Sequence, residues 1–362
     1  MAKISSNALD SNAFEKRLLA AVKPFAKEFR YKSWQCVAVT FALLGALLAG
    51  AGALPWWPLR LLLSLAGGLV MVRAFILFHD FMHDALLYRS RLGKAIFYAF
   101  GLLALTPPRY WRHTHNLHHA QVGKPVADEG GALPLATADV GAFPLMTAEQ
   151  WRAASSWQRF QYRVMRHPAT ILAAYVTIFA FSFCFVPLAK DPRRHWDAAL
   201  SLLSHGGLIA VLWALTGMSV ALFAFVLPFA LAAALGGYLF YVQHTFEGME
   251  VLPHEEWSFC QGSLRSSSYL KLGMVMQWLT GNIGYHHIHH LNARIPFYRL
   301  PEVMEAVPEL QAEARVVTLR PRDILRCFQL NLWDGERRQL VSYKVACPAD
   351  DGQEGALLSR LG

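Results

Sequence analysis

Two apolar runs set back to back, Trp34–Leu54 and Leu59–Phe78, constrain this chain more than any other feature. Each approaches the roughly 20 residues that a helix needs to cross the hydrocarbon core of a bilayer. Inside lipid a segment must satisfy its own backbone polar groups, so each run has to be a helix. Between them, Pro55-Trp56-Trp57-Pro58 breaks the helix and supplies tryptophans that favour the membrane interface. The pair therefore forms a tight hairpin, and residue 79 returns to the side on which the N-terminal segment lies.

Composition points the same way. Charged residues make up 16% of the chain, against about 25% in soluble domains. No linker, repeat or low-complexity stretch divides the sequence. It reads as one membrane domain, residues 34–345, between a basic N-terminal segment, 1–33, and a C-terminal tail, 346–362. In the N-terminal segment Phe14, Leu18, Leu19, Val22 and Phe25 interleave with Lys16, Arg17, Lys23, Lys27 and Arg30. That pattern suits an amphipathic helix on the inner membrane surface and not a cleavable signal peptide. The five cysteines are odd in number and include no C-x-x-C pair, which argues against a disulfide framework or a cysteine zinc site. The net charge of +9 follows the lysine and arginine excess of cytoplasmic segments, and would also suit an acidic redox partner. Nothing in the chain calls for nucleic acid. It has no P-loop, no dinucleotide-binding G-x-G-x-x-G and no His-Pro-Gly-Gly, so any electron donor is expected to be a separate protein.

Three histidine-rich clusters interrupt the apolar pattern: His79 and His83; His113, His115, His118 and His119; and His286, His287, His289 and His290. Histidine is the commonest metal ligand. One such cluster would also fit a basic surface patch. Three at ligand spacing point to a metal centre. His79 and His83 are four apart at a helix end and share a face. In H-x-x-H-H (His115, His118, His119; His286, His289, His290) the second and third imidazoles flank the first, so each run can reach two ions. The eight imidazoles exceed the four ligands usual for one zinc and suit two ions with open positions. The ligand type is compatible with iron, zinc or copper.

The other runs follow from this. Ala95–Leu105 is too short to span and ends at Pro107-Pro108, as an interfacial helix would. Gln121–Trp157 reads as a loop region. Apolar runs at Pro168–Leu188, Ala198–Leu215 and Val220–Tyr241 separate the second and third clusters. If both clusters serve one site, an even number of these must cross. The basic connector 190–195 belongs inside and the uncharged 216–219 outside. Hence Pro168–Leu188 lies in the interface or dips in and back. The expected fold is an all-α membrane protein with four transmembrane helices in two hairpins. A cytoplasmic helical cap, Pro301–Leu340, closes over the di-metal site. His167, His195 and His254 read as surface residues. His205, within a span, is either functional or an interhelical hydrogen-bonding group.

The motifs His79-Asp80-x-x-His83, Trp111-Arg112-x-x-His115-x-x-His118-His119 and Asn282-Ile283-x-x-His286-x-x-His289-His290 resemble the three histidine boxes of membrane fatty-acid desaturases. Leu105-Thr106-Pro107, Tyr241-Val242-Gln243-His244, Glu255-Glu256-Trp257 and Arg294-Ile295-Pro296-Phe297-Tyr298 match as well. The resemblance covers roughly residues 30–345 and is strongest to bacterial and cyanobacterial delta-12/omega-6 acyl-lipid enzymes. It implies two iron ions, O2 as co-substrate, and a ferredoxin or b-type cytochrome as donor. It also implies an acyl-lipid substrate in a hydrophobic tunnel, and a site on the cytoplasmic face of a bacterial inner membrane. A histidine after the last span, here His244, is implied as a ninth ligand, with His113 and His287 turned away. Asp80, Asp84 and Asn282 are candidates to hydrogen-bond the ligands, because metal-bound histidines give their other N–H to such groups. Trp111, Tyr241, Tyr285 and Phe240 are candidate tunnel residues, although packing would also explain them. The first box departs from the family pattern, with Phe81-Met82 where small residues are common and Asp84 where glycine is usual. Desaturation is the leading expectation. A hydroxylase, acetylenase or carotenoid oxygenase on the same frame, or a non-catalytic metal transporter, remain alternatives.

Overall fold

A computed structural model describes residues 2–124 and 143–346. Among the described residues, four helices are long and apolar enough to cross a membrane: Arg30–Ala53, Trp57–Met82, Trp196–Thr216 and Met218–Val242. They pair as two hairpins. The first turns at Pro55-Trp56. The second turns at Gly217, whose φ of +93° lies where a side chain would be strained. The second span is the central one: 61% of its apolar window is buried, against 17–28% in the other three. It touches both the first and the fourth span, and at Gly68 an added Cβ would lie 2.8 Å from the Pro228 carbonyl. Small residues of this kind let helices in lipid approach closely. Arg60 ties the two outer turns together, donating to the Ala51 carbonyl and to Ser219 Oγ, each at 2.7 Å.

Two ionisable groups inside the spans, Arg73 and His205, are satisfied by neighbours. Arg73 donates to Thr40 Oγ1 at 3.1 Å and to the Trp278 carbonyl, with its guanidinium 4.2 Å from the Trp278 ring centre. His205 Nδ1 donates to the Leu103 carbonyl at 2.7 Å, which leaves Nε2 to accept from the Tyr175 hydroxyl at 2.6 Å. This is the interhelical hydrogen-bonding role, and neither residue opens a polar path through the bundle.

The apolar segment between the two halves is the helix Pro168–Leu172, a π-helix over Tyr175–Phe185 and a last turn Val186–Lys190. Residues 175–190 would rise only about 24 Å as an α-helix, short of the roughly 30 Å core. The segment packs against the third and fourth spans. The expected loop region, 121–157, contains the helix Ala148–Ala153, and a second helix, Ser156–Arg166, begins at its end; each is opened by a capping box, Thr147 with Gln150 and Ser155 with Gln158. The T-x-x-Q and S-x-x-Q spacing carried that signal; residues 125–142 of the loop lie outside the described part.

The cap is less purely helical than expected. Strands β1 (Met146–Thr147), β4 (Leu332–Asp334) and β5 (Gln339–Val341) form a sheet in the order β1-β4-β5, with β1 parallel and β5 antiparallel to β4. A second pair, β2 (Tyr269–Leu270) and β3 (Val316–Val317), is parallel. Such two- and three-residue ladders are too short to show as periodicity in a sequence. The N-terminal helix Ala2–Val22 also meets a different partner from the one expected. Leu18 and Val22 are buried in a core shared with Leu264, Ile295 and Phe297, and Phe14 packs against it. Leu18 and Val22 are therefore covered by protein, not lipid, while Leu19 beside them is exposed. Arg299 holds the following turn through the carbonyls of Pro24, Phe25 and Lys27. The C-terminal tail lies outside the described residues beyond Ala346.

Candidate metal centre

Each histidine is placed by a helix end. His79 sits in the last turn of the second span and His83 caps it, with the His83 N–H donating to the His79 carbonyl at 3.2 Å. His115, His118 and His119 lie on the helix Pro108–Gln121, and His286, His289 and His290 on the short helix His286–Leu291. His244 follows the fourth span one residue beyond Gln243. Asp197, at the start of the third span, accepts the Arg109 N–H at 3.1 Å and so caps the helix of the second box.

The side chains gather into two groups whose donor atoms lie within 4.8 Å of one another: His79, His83, His115, His119 and His289, and His118, His244, His286 and His290. Each H-x-x-H-H run divides between them. Residues i and i+4 differ by about 40° around a helix and stay together, whereas i+3 lies about 60° to the other side and joins the other group. The groups adjoin, with the rings of His119 and His290 stacked at 4.1 Å.

Eight of the nine are suited to cation binding by charge state. Burial pushes His83, His115, His118, His119, His286, His289 and His290 well below the usual histidine range, and repulsion between neighbouring imidazoles pushes them further. Burial takes His244 down to about 4. Its Nδ1 donates to the Ser266 carbonyl at 2.9 Å, which leaves a lone pair on Nε2. That Nε2 lies 3.0 Å from His118 Nε2 and 2.9 Å from His286 Nε2, which is itself 3.0 Å from His290 Nε2. In the five-membered group His119 Nε2 is 3.2 Å from both His115 Nε2 and His289 Nε2, and His83 Nε2 is buried without a hydrogen-bond partner. Neutral nitrogens converging in this way fit two cations that accept imidazole.

The other candidates are distributed differently. Asp80 Oδ1 accepts from His79 Nδ1 at 3.1 Å and Oδ2 from the Phe297 N–H at 2.7 Å, so it orients a histidine and ties the first box to the chain after the third. Asp84 and Asn282 do not touch a histidine. Asp84 accepts from Arg112 at 2.7 Å, and Asn282 donates to the Phe297 carbonyl at 3.1 Å. Both have positive φ, 60° and 55°, a conformation that Asp and Asn adopt more readily than other side chains. His113 is exposed. His287 is fully buried on the far side of its helix, where burial holds it at about 4.

An apolar cavity runs from the histidines into the membrane domain. His79, His115 and His286 stand at one end, so it reaches both groups; Trp111 and Phe240 line it as well. Its deeper wall includes Met71, Phe75, Phe179, Phe229 and Gly236, and apart from the histidines its polar residues are Thr114 and Gln243. Tyr241 and Tyr285 are not on it. Tyr241 is one residue, about 100°, from Phe240 and meets Arg166 at 3.2 Å, while Tyr285 stacks on Tyr269 at 4.9 Å. Ser266, whose carbonyl orients His244, and Phe179 and Phe229 were not singled out in the sequence. Nothing in a serine run or an apolar run marks one member as facing a site.

The sequence pattern of the family described as "Fatty acid desaturase" matches residues 55–322. A fatty acid desaturase of Bacillus subtilis (strain 168) is 30% identical over 306 residues, 83% of each chain. The sn-1 acyl-lipid omega-3 desaturase (ferredoxin) of Nostoc sp. (strain 36) is 24% identical over 75% of this chain and 73% of its own. The sn-1 oleoyl-lipid 12-desaturase of Arthrospira platensis is 19% identical over 75% and 74%.

Proposed function

Because the chain belongs to the fatty acid desaturase family, we propose that it uses O2 and two iron ions to introduce a cis double bond into a lipid-bound acyl chain, in the delta-12/omega-6 manner. The observation that carries this reading is the apolar cavity that ends on histidines of both groups. His79, His83, His115, His119 and His289 would hold one ion, and His118, His244, His286 and His290 the other. When bound, the irons would supply the oxidising power to remove hydrogen from an unactivated methylene. The protein's own part is orientation and exclusion. The cavity wall offers an acyl chain dispersion contacts and no competing charge. Trp111, stacked on His115 at 4.4 Å, and Phe240, 5.2 Å from His118, keep the path beside the ligands apolar. Asp80 and the Ser266 carbonyl hold His79 and His244 with Nε2 free.

The electron donor is a separate, acidic carrier, a ferredoxin or a b-type cytochrome. The net charge of +9 supports this, as does the ferredoxin in the name of the Nostoc relative. The site faces the cytoplasm of a bacterial inner membrane, since Lys190, Arg193 and Arg194 lie in the connector at the metal end of the third span. Expression in a host of known lipid content, followed by gas chromatography of fatty-acid methyl esters, tests the proposal. A new double bond is expected. An oxygenated product would move the assignment to a hydroxylase on the same frame, and bound metal with no product would leave only metal binding.

A further inference from the structure

An acyl chain in this cavity has no polar handle on which to stop. Along the deeper wall the lining is hydrocarbon and glycine, and an apolar contact does not fix the position of one methylene over the next. Only a steric stop can decide which carbons rest beside the histidines.

The cavity has one place built like a stop. Phe179, on the π-helix Tyr175–Phe185, is edge-on to Phe75 at 6.1 Å, to Phe183 at 5.7 Å and to Phe229 at 5.8 Å, and so bridges from the second span to the fourth. Facing it on the fourth span is Gly236. A Cβ added there would meet one atom, Phe179 Cζ, at 3.9 Å. The adjacent Gly237 is bare for a different reason: its Cβ would lie 2.8 Å from Ala174 Cβ and 2.9 Å from the Ile171 carbonyl, so it serves close packing. Gly236 instead leaves open space in front of a ring. It precedes Phe240 by four residues, about 6 Å along the helix, and Phe229 lies about 10 Å further in. The pair thus divides the cavity into a part beside the metals and a deeper end. A π-helix is a rare structure that recurs at functional sites, and here it carries Ile178, Phe179 and Phe183 of the wall.

We infer that Phe179 and Gly236 form the gauge that sets how far an acyl chain enters, and thereby its length preference and the position of the double bond. The inference rests on the acyl-chain reading above. A side chain at position 236 closes the deep end, and removal of the Phe179 ring opens it.

The test is a competition between two saturated acyl chains that differ by one two-carbon unit, in cells expressing each variant, with products resolved by chain length and bond position and bound metal measured alongside. Gly236→Val should favour the shorter chain, or move the double bond toward the methyl end. Phe179→Ala should do the opposite. A methylene in an apolar pocket is worth about tenfold or more in discrimination, so the product ratio should move by at least about tenfold in each direction. Gly207→Val, where an added Cβ on the third span meets nothing within 4 Å, should match the parent. If Gly236→Val makes no product, Phe179→Ala alone decides. Parental chain-length ratio and bond position in an active Phe179→Ala protein with full metal would overturn the inference. A parent that forms no unsaturated chain would instead remove the reading beneath it.

Discussion

His115, His118 and His119 leave one helix in two directions, and the same division in the third box makes nine histidines into two groups. Loss of any of them should therefore affect one ion first. His118→Ala and His244→Ala are expected to lose bound metal and to reduce product by more than about 100-fold, beyond the 10–100-fold that follows loss of a ligand's hydrogen-bonding partner. Metal analysis with product analysis at equal expression checks this, and normal metal and turnover in either variant would take that residue out of the site. His113→Ala should keep both. Asp80→Asn should fall within about 10–100-fold, because it holds His79 without being counted among the donors. The pH response of metal-free protein has a definite sign. His244 and His287 are held at about 4, below the ordinary 6.5. Between those values the unfolded chain binds protons that the folded one refuses. Their contribution is complete above about pH 6.5 and is lost as pH falls toward 4. Thermal unfolding of metal-free protein in detergent at several pH values should show the midpoint dropping across that window.

At the scale of elements, two kinds of helix contact separate what is tolerant from what is not. Gly237 lets the fourth span touch the segment Ile171–Ala174. Gly237→Ala overpacks that contact and should cost about 1–3 kcal/mol, measured as a lower unfolding midpoint, whereas Gly236→Ala should leave stability unchanged. The helix Ser156–Arg166 depends on its capping box. Ser155→Ala should cost about 1 kcal/mol without altering metal content, since no donor of either group lies on that helix. Arg166 is a different matter. It is buried and donates to the Pro144 and Leu330 carbonyls, Tyr241 and Thr245, and so fixes the backbone beside His244 to the cap.

For the whole molecule, the histidine groups bring the ends of the second and fourth spans to one side, and the hairpin turns at 54–56 and 217 to the other. In a background without native cysteines, Ser219→Cys should react with an impermeant thiol reagent added to intact cells, and Asp191→Cys should not. Labelling at 191 instead would invert the proposed orientation. An acidic donor approaching a protein of net charge +9 should deliver electrons more slowly as salt rises, because screening weakens such steering; turnover independent of ionic strength would argue against an acidic carrier.

The sequence by itself determined the spans and the histidine clusters that the fold gathers into two groups. Runs near 20 apolar residues have only helices open to them in lipid, and H-x-x-H-H offers imidazoles on two sides of whatever helix carries it. The turn residues Pro55 and Gly217 and the basic connector 190–195 were enough to arrange the runs as two hairpins. What only the tertiary structure decided depends on chains meeting across distance. The sequence pattern of Asp80, Asp84 and Asn282 is equally acidic or amide-bearing, yet only Asp80 hydrogen-bonds a histidine; the backbone at 84 and 282 turns left-handed, and the two side chains meet Arg112 and the Phe297 carbonyl instead. Tyr241 and Phe240 differ by one position, and the packing of Arg166 settles which of the two faces the cavity. Leu18 and Val22 of the N-terminal helix meet protein instead of lipid for the same reason: periodicity shows that a face is apolar, and only the fold shows what covers it.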